Sequence, residues 1–177
     1  MDYIETITNS SISKDVLTKF FHYLDHNMTS EIKELCASEG SMLINAEIEA
    51  HATGRQSALS YALSNPNIHY NTIKLLLAMG ADCAYINGSG NNLLHLVSKR
   101  NGVDVIELLP EIKSALAAQG RDVKSLADHK NNQGRMPFFC CNVTIHLSKP
   151  EIEQFTNIKQ IVFSPLFQNN LTECVVL

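Results

Sequence analysis

Histidine and cysteine are the residues of this chain whose chemistry supports catalysis or metal binding. The seven histidines are scattered, and none stands in a catalytic spacing with a Cys or Ser. Cys140 and Cys141 with His146 form the densest cluster, but a fourth ligand and the spacing of a zinc site are missing. Gly88-Ser89-Gly90 lacks the Lys-Ser/Thr pair that completes a phosphate-binding loop. The sequence therefore predicts a protein that is not an enzyme and holds no metal or cofactor.

Cys174 is the cysteine with a specific chemical prediction. Cys174-Val175-Val176-Leu177 has the Cys-aliphatic-aliphatic-X form of a prenylation signal, and leucine in the last place favours geranylgeranyl over farnesyl. With Leu177 as the natural terminus, we expect Cys174 to carry one of these lipids and to hold the protein on a membrane. No polybasic stretch precedes Cys174, although a single lipid usually needs a second membrane signal.

The composition restricts the classes of partner. The chain has 177 residues, of which 45% are hydrophobic and 18% are charged, and its net charge of −4 argues against a nucleic-acid-binding protein. Its apolar runs are far shorter than a membrane helix requires, and the acidic N-terminus lacks the basic region of a secretory signal peptide. The five cysteines are odd in number and show no disulfide framework, which is typical of a reducing cytosol.

Two amphipathic helices are predicted over residues 12–36, where they would position the apolar side chains of the N-terminal region. The apolar residues of the first helix recur at three- and four-residue spacing. They are Ile12, Val16, Leu17, Phe20, Phe21 and Leu24. Ser13 stands at the N-cap position, and Asp15 lies in the first turn, where its charge suits the helix dipole. After a turn at residues 25–27, the second helix carries Met28, Ile32, Leu35 and Cys36.

This N-terminal block resembles an F-box, the motif by which substrate receptors dock on a cullin–RING ubiquitin ligase. The residues on matching positions are Asp15, Val16, Leu17, Phe20, Phe21, Tyr23, Leu24 and Cys36, whereas Ile12-Ser13 replaces the usual Leu-Pro pair. The resemblance implies that apolar side chains contact the Skp adaptor. These adaptor-binding candidates are Ile12, Val16, Leu17, Phe20, Phe21, Leu24, Ile32 and Leu35. Truncation of one central aromatic residue should then cost about 2 kcal/mol or more of binding.

An internal repeat begins after the N-terminal block. Residues 54–62 and the Leu-Leu-Leu-Ala-Met-Gly-Ala-Asp segment at 75–82 are followed by a second copy around residues 92–97 and 105–109. The anchor residues Leu59 and Leu94 are 35 positions apart, and a third start at residues 134–141 lies 44 positions further on. Residues 111–130 must therefore form a lengthened outer helix and loop. Gly80 is expected to end an outer helix, and Gly54, Gly90 and Gly134 to permit tight hairpins.

The pattern resembles the ankyrin repeat, which implies stacked helix pairs joined by hairpins. We therefore expect an all-α fold, with F-box-like helices followed by a short ankyrin-repeat solenoid of about three to four repeats, the terminal ones degenerate. The predicted domains are an F-box-like helical module at residues 8–45, ankyrin repeats at 46–165 and a flexible tail with the CaaX box at 166–177. His95 falls at the ankyrin histidine position, where hydrogen bonding between loops of adjacent repeats is expected.

Hairpin tips and inner helices form the concave face of an ankyrin array, and the resemblance implies substrate binding there. The candidate residues on that face are Arg55, Tyr61, Tyr85, Asn87, Asn91, Lys99, Arg100 and Arg135. Each is also a residue type common on solvated surfaces.

The order of the three parts resembles prenylated F-box/ankyrin effectors that intracellular bacteria such as Legionella inject into host cells. By that resemblance, the chain is a non-catalytic substrate receptor of a host SCF-type ligase. It would be secreted into the host cytosol and anchored at the cytosolic face of a host membrane. The alternative is an ankyrin scaffold or inhibitor without a ligase role, whose N-terminal helices merely cap the array. A cap buries Leu17, Phe20 and Phe21, whereas an F-box leaves them exposed until the adaptor binds.

Overall fold

The computed structural model describes residues 12–50, 54–100 and 102–137. The chain begins with the helices α1 (Lys14–Asp25) and α2 (Thr29–Glu39), followed by a 3₁₀ turn at Ser41–Asn45 and the antiparallel hairpin of β1 (Glu47–Ala50) and β2 (Gly54–Ser57). Four helices follow. They are α3 (Ala58–Ser64), α4 (Tyr70–Ala78), α5 (Leu93–Val97) and α6 (Gly102–Ala118), and a short α7 (Val123–Ala127) comes last.

These helices form three stacked pairs, which we call the first layer (α1 and α2), the second layer (α3 and α4) and the third layer (α5 and α6). The first helices of the pairs pack in one row, with α1 on α3 and α3 on α5. The second helices pack in a parallel row, with α2 on α4 and α4 on α6. We call these the inner row and the outer row.

Every helix of the inner row begins with the same kind of cap. The Ser13 hydroxyl accepts from the Val16 N–H, the Ser57 hydroxyl from the Ser60 N–H, and the Asn92 side chain from the His95 N–H. These caps satisfy backbone donors that the first turn of a helix leaves unpaired. The predicted start of α1 is therefore confirmed, with Ser13 as its N-cap and Asp15 in its first turn.

The outer helices α4 and α6 end in the same motif. Gly80 has a φ of 86°, and the N–H groups of Gly80 and Ala81 donate back to the carbonyls of Leu77 and Leu76. At the end of α6 the same pair of bonds runs from Gly120 and Arg121 to Ala117 and Leu116. A Schellman motif of this kind needs a left-handed residue, which glycine supplies. The prediction that Gly80 ends the outer helix is confirmed.

One hydrophobic core runs through all three layers. Its buried residues extend from Leu17 in α1 to Ala127 in α7 and form a single cluster. The core crosses the predicted domain boundary at residues 45 and 46, because Leu43, Ile44, Ala46 and Ile48 on either side of it are all buried. Within the described ranges the first two helices therefore share one core with the layers that follow.

Candidate functional site

Three segments between or after the helices are joined to one another by backbone bonds, and we call them fingers. The first finger is formed by the paired strands β1 and β2, the second is the loop 82–92, and the third is the loop 128–136. The Gly88 N–H donates to the Arg55 carbonyl at 2.8 Å, and the Asn132 N–H donates to the Ser89 carbonyl at 3.2 Å. Backbone bonds thus join the three fingers into one continuous edge.

The second and third fingers have the same turn. In the second, Asn87 Oδ1 accepts from the N–H groups of Ser89 and Asn91, and the Gly90 N–H donates to the Asn87 carbonyl. In the third, Asn131 Oδ1 accepts from Gln133 and Arg135, with the Gly134 N–H on the Asn131 carbonyl. Gly90 and Gly134 have φ values of 75° and 72°, as the hairpin prediction required.

His95 links the third layer to the third finger. Its ring is fully buried, and Nε2 donates to the Arg135 carbonyl at 2.8 Å while Nδ1 lies within reach of the Asn92 N–H. Burial, which opposes the charged form, lowers the pKa of His95 below its usual range. The predicted role of His95 as an inter-loop hydrogen-bonding residue is confirmed.

Three of the eight predicted substrate-binding residues are buried and serve the fold instead. Asn87 organises the second finger, and Asn91 Oδ1 accepts from the Asn131 side chain at 2.9 Å. The Arg100 guanidinium is 7% exposed and donates to the carbonyls of Ala62, Leu63, Asn65 and Ile68. Sequence reasoning assigned these polar residues to the surface because it could not see the groups with which their side chains form hydrogen bonds. That they contact a ligand stays a prediction, which their burial disfavours.

The other five predicted residues are accessible to different degrees. Arg55, Lys99 and Arg135 are exposed, and Arg55 forms an ion pair with Glu47 at 3.2 Å. Tyr61 is half-buried, and its hydroxyl donates to Asp25 at 2.5 Å. Burial first, and then the hydrogen bond to Asp25, raise the pKa of Tyr61 above its usual range. Tyr61 therefore contributes to the contact between the first and second layers more than to an open surface.

Tyr85 in the second finger has an unusual environment. Its hydroxyl is buried, and no described group accepts or donates a hydrogen bond to it. Burial raises the pKa of Tyr85 to about 12, so the phenol stays neutral. The ring lines a shallow depression, together with Ser57, Leu59, Ser60, Asp82 and Leu93, that has no room for a small molecule. The adjacent Ile86 is 48% exposed, which sequence reasoning missed because a single apolar residue in a loop carries no pattern.

The residues predicted to bind the Skp adaptor lie mainly inside the protein. Ile12 and Val16 are half-buried and pack against the core, whereas the other six form part of it. These six are Leu17, Phe20, Phe21, Leu24, Ile32 and Leu35, none more than 8% exposed. The Phe21 ring meets the Tyr61 ring edge to face at a centroid distance of 5.2 Å. In this conformation the six side chains cannot contact an adaptor without leaving the core, which is the arrangement expected of a cap.

Polar bonds hold the same helices on the second layer. Asn27, in the turn between α1 and α2, has a φ of 56°. Its Oδ1 accepts from the His69 N–H at 2.6 Å and from the Thr72 hydroxyl at 2.9 Å, and its Nδ2 donates to the Asn67 carbonyl at 3.0 Å. The first layer is thus attached to the second layer by both an aromatic contact with α3 and a three-bond amide anchor at the loop before α4.

Several predictions concern residues that the structure does not describe. Cys174 and the proposed CaaX box, Cys140, Cys141 and His146, and the rest of the third repeat start after Pro137 all lie outside the described residues. Among those that are described, Cys36 and Cys83 are buried free thiols, and burial raises the pKa of each to about 11. The described ranges contain no group of three or more possible metal ligands and no helix with the length and apolarity to cross a membrane.

Comparison with known families agrees with the layered geometry. Residues 59–109 match the family described as ankyrin repeats (many copies). The match begins in α3 and ends in α6, so it covers the second layer and part of the third. No curated protein matches the chain. The match supports an ankyrin-repeat protein, and ankyrin repeats indicate a module for protein–protein interaction.

Proposed function

We propose that this chain is a non-catalytic ankyrin-repeat scaffold that binds a partner protein along its fingers, with α1 and α2 as the N-terminal cap of the array. The observation that carries this proposal is the burial of Leu17, Phe20 and Phe21 in the common core. A buried face has no affinity to offer a partner, whereas the row of fingers leaves charged and apolar side chains accessible.

The finger edge has the features of a small recognition surface. Arg55 in the first finger, Ile86 in the second and Arg135 in the third are all exposed, and backbone bonds fix the three fingers relative to one another. A preorganised edge loses little conformational entropy on binding, and an exposed apolar residue flanked by arginines is typical of an interaction centre. A protein partner with acidic groups around an apolar pocket fits these side chains best.

The experiment compares two variants of equal charge change. The finger variant carries Arg55→Glu, Ile86→Asp and Arg135→Glu, and the control carries Lys33→Glu, Lys113→Glu and Ser114→Asp on exposed positions of α2 and α6. Each protein is used for quantitative affinity capture from cytosol, after its melting temperature has been measured. Partners retained by the wild type and the control but lost by the finger variant support the proposal. Partners lost equally from both variants contradict it.

A second candidate is the SCF substrate receptor implied by the F-box resemblance. The observation in its favour is that Val16 and Tyr23 of α1, which stand at matching motif positions, remain partly accessible, as does Ile12 just before the helix. For this function the first layer has to detach from the second, because the other adaptor-binding residues are buried. Receptor activity would then depend on how easily the Asn27 anchor breaks.

Co-purification with the human Skp adaptor tests this candidate. A Leu17→Ala/Phe21→Ala variant is a poor probe, since removing buried side chains unfolds the cap whether or not an adaptor binds. Asn27→Gly weakens the anchor and keeps a residue that accepts the left-handed backbone. If the receptor function is correct, Asn27→Gly binds the adaptor more tightly than the wild type, and Ile12→Asp/Val16→Asp abolishes binding. Our proposal predicts that none of these proteins forms a complex.

Our scaffold proposal also includes attachment of the protein to a membrane and its delivery into a host cell. Prenylation at Cys174 would place the scaffold on the cytosolic face of a membrane, where the local concentration of a partner is raised. Expression of the wild type and Cys174→Ser in a eukaryotic cell, followed by intact-mass measurement and fractionation, tests this step. A prenyl mass increment and membrane recovery that Cys174→Ser lacks support attachment. Equal mass and distribution of the two proteins contradict it.

A further inference from the structure

We infer that His22 and His26 form a two-ligand site for a divalent transition metal at the end of α1. His22 lies in the last turn of the helix and His26 is its C-cap, so the two residues are four positions apart on one face. Their ring centroids are 4.2 Å apart with a tilt of 42°, and both residues are exposed. Two imidazoles held side by side in this way can chelate one ion.

The hydrogen bond of His26 orients its ring for this role. His26 Nδ1 lies 2.9 Å from the His22 carbonyl oxygen. A carbonyl oxygen only accepts, so Nδ1 carries the proton and the lone pair of the neutral ring is on Nε2. Metal-binding histidines commonly donate their second nitrogen to a backbone carbonyl, which fixes both the tautomer and the ring direction.

The electrostatic setting favours a cation. The C-terminal end of a helix carries partial negative charge from its unpaired carbonyl groups, and both rings stand at that end of α1. The nearest carboxylate in sequence, Asp25, has its Oδ1 engaged by Tyr61 and Asn65. The described part of the chain brings no third ligand to the pair, so water must complete the coordination. Imidazole ligands select Zn²⁺, Ni²⁺ and Cu²⁺ over Mg²⁺ and Ca²⁺.

The position of the pair connects metal binding to the attachment of the first layer. Asn27 directly follows His26 and makes the three bonds that hold α1 and α2 on the loop between α3 and α4. An ion bridging His22 and His26 would fix the last turn of α1, and with it the backbone that presents Asn27. Because the ion binds only the folded helix, it would stabilise the docked first layer by mass action.

The test uses the full chain with Zn²⁺, Ni²⁺ and Cu²⁺ in calorimetric titrations and thermal unfolding. The variants are His22→Gln and His26→Gln, and the matched control is His69→Gln, another exposed histidine with no histidine four residues away. We expect the wild type and His69→Gln to gain about 3–6 °C in melting temperature at tenfold excess over Kd. Each pair variant should lose that gain and bind at least about tenfold more weakly. Metal-free melting curves establish that the variants are folded.

The spectrum of the Cu²⁺ complex provides an independent readout. Electron paramagnetic resonance of the wild type at one equivalent should show hyperfine coupling to two imidazole nitrogens, which either pair variant reduces. Binding that is undiminished in both pair variants would assign the metal to other ligands and overturn the inference. Absence of any binding by the wild type up to about 1 mM metal would also overturn it.

Discussion

The two interfaces between the three layers have the same packing but different polar anchors. Both anchors form hydrogen bonds at the loop between α3 and α4, residues 65–69. On one side Asn27 bonds to residues 67, 69 and 72, and on the other Arg100 donates to the carbonyls of residues 62, 63, 65 and 68. Stacking of helix pairs therefore requires that this loop be satisfied from both sides, and an amide and a guanidinium each do so.

The outer helix of the first layer also ends differently from the outer helices of the other two layers. Gly80 and Gly120 end α4 and α6 in matching Schellman motifs, whereas α2 ends at Gly40, with a φ of 96°, through one bond from its N–H to the Cys36 carbonyl. The following junctions are again alike in function. Asn45 Oδ1 accepts from the Asp82 N–H, and Gln119 Oε1 accepts from the Cys83 N–H. The first layer thus fulfils the role of a repeat without the sequence of one.

The largest expected effect tests whether the first layer belongs to the core. Phe20 in α1 and Leu94 in α5 are both fully buried. We expect Phe20→Ala to lower the free energy of unfolding by about 3–5 kcal/mol and Leu94→Ala by about 2–5 kcal/mol, each within a single urea transition. A Phe20→Ala protein that keeps the main transition of the wild type would show that the first layer folds separately.

The contact between the second and third fingers should be tighter than the contact between the first and second fingers. A Cβ on Gly54 would meet the Gly88 Cα at 3.2 Å, whereas a Cβ on Gly90 would collide with the Asn132 side chain and lie 2.7 Å from its backbone nitrogen. Both glycines have positive φ. We expect Gly54→Ala to cost about 1–2 kcal/mol and Gly90→Ala about 2–4 kcal/mol by urea denaturation. Equal costs would mean that the fingers yield freely.

The Arg100 anchor is the next in expected size. Arg100→Met keeps the aliphatic stem and leaves four carbonyl groups without their charged donor, so the free energy of unfolding should fall by about 2–3 kcal/mol. Lys99→Met, at the neighbouring exposed position, is the control and should change it by less than about 0.5 kcal/mol. Chemical denaturation of both variants measures the difference. Similar free energies of unfolding for the two variants would contradict the role of Arg100 as an anchor between layers.

The Asn27 anchor should be weaker, and two substitutions separate its components. Asn27→Gly loses the side-chain bonds but accepts the φ of 56°, and should cost about 1 kcal/mol. Asn27→Ala adds the strain of a left-handed alanine and should cost about 2 kcal/mol. Amide hydrogen exchange in α1 and α2 should rise in both variants before it rises in α5. Uniform acceleration along the chain would contradict an anchor specific to the first layer.

The smallest effect is a pH dependence at the contact between α5 and the third finger, where His95 bonds to the Arg135 carbonyl. Burial lowers the pKa of His95, so the unfolded state binds a proton more readily than the folded state. The stability that neutral His95 contributes is complete above its unfolded pKa and is lost as the pH falls below about 6.5. Denaturation midpoints at several pH values should therefore decline less steeply below that point for His95→Gln than for the wild type. Identical slopes would show that other groups cause the decline.

The sequence was most informative where apolar periodicity and turn chemistry coincide. Residues 12–36 were predicted as two helices with Ser13 as the cap, and Gly80 and His95 were given the roles that they have in the structure. Each of these predictions depends on local physics: a cap, a left-handed residue, or a side chain opposite a fixed loop. Local patterns of this kind survive when repeats diverge.

The burial of the first layer could not be read from the same pattern. The pattern of an amphipathic helix predicts that one face is apolar and becomes buried. It does not distinguish burial against a partner protein from burial against the next layer of the same chain. Asn27, Asn91 and Arg100 show the matching difficulty for polar residues, since their hydrogen-bond partners lie about 35 to 45 positions away in the chain. Only the tertiary arrangement distinguishes a solvated polar side chain from one that satisfies a remote carbonyl.

The shared core lowers the apparent affinity of any partner that would use α1 and α2 as its docking face. Such a partner binds only the fraction of molecules in which the first layer is detached, and its apparent affinity is reduced by that fraction. If detachment costs about 4 kcal/mol, roughly one molecule in a thousand is competent, and an intrinsically nanomolar contact becomes micromolar. Because Phe20 and Phe21 are buried, only a partner that is abundant or that binds with very high intrinsic affinity would then occupy this face.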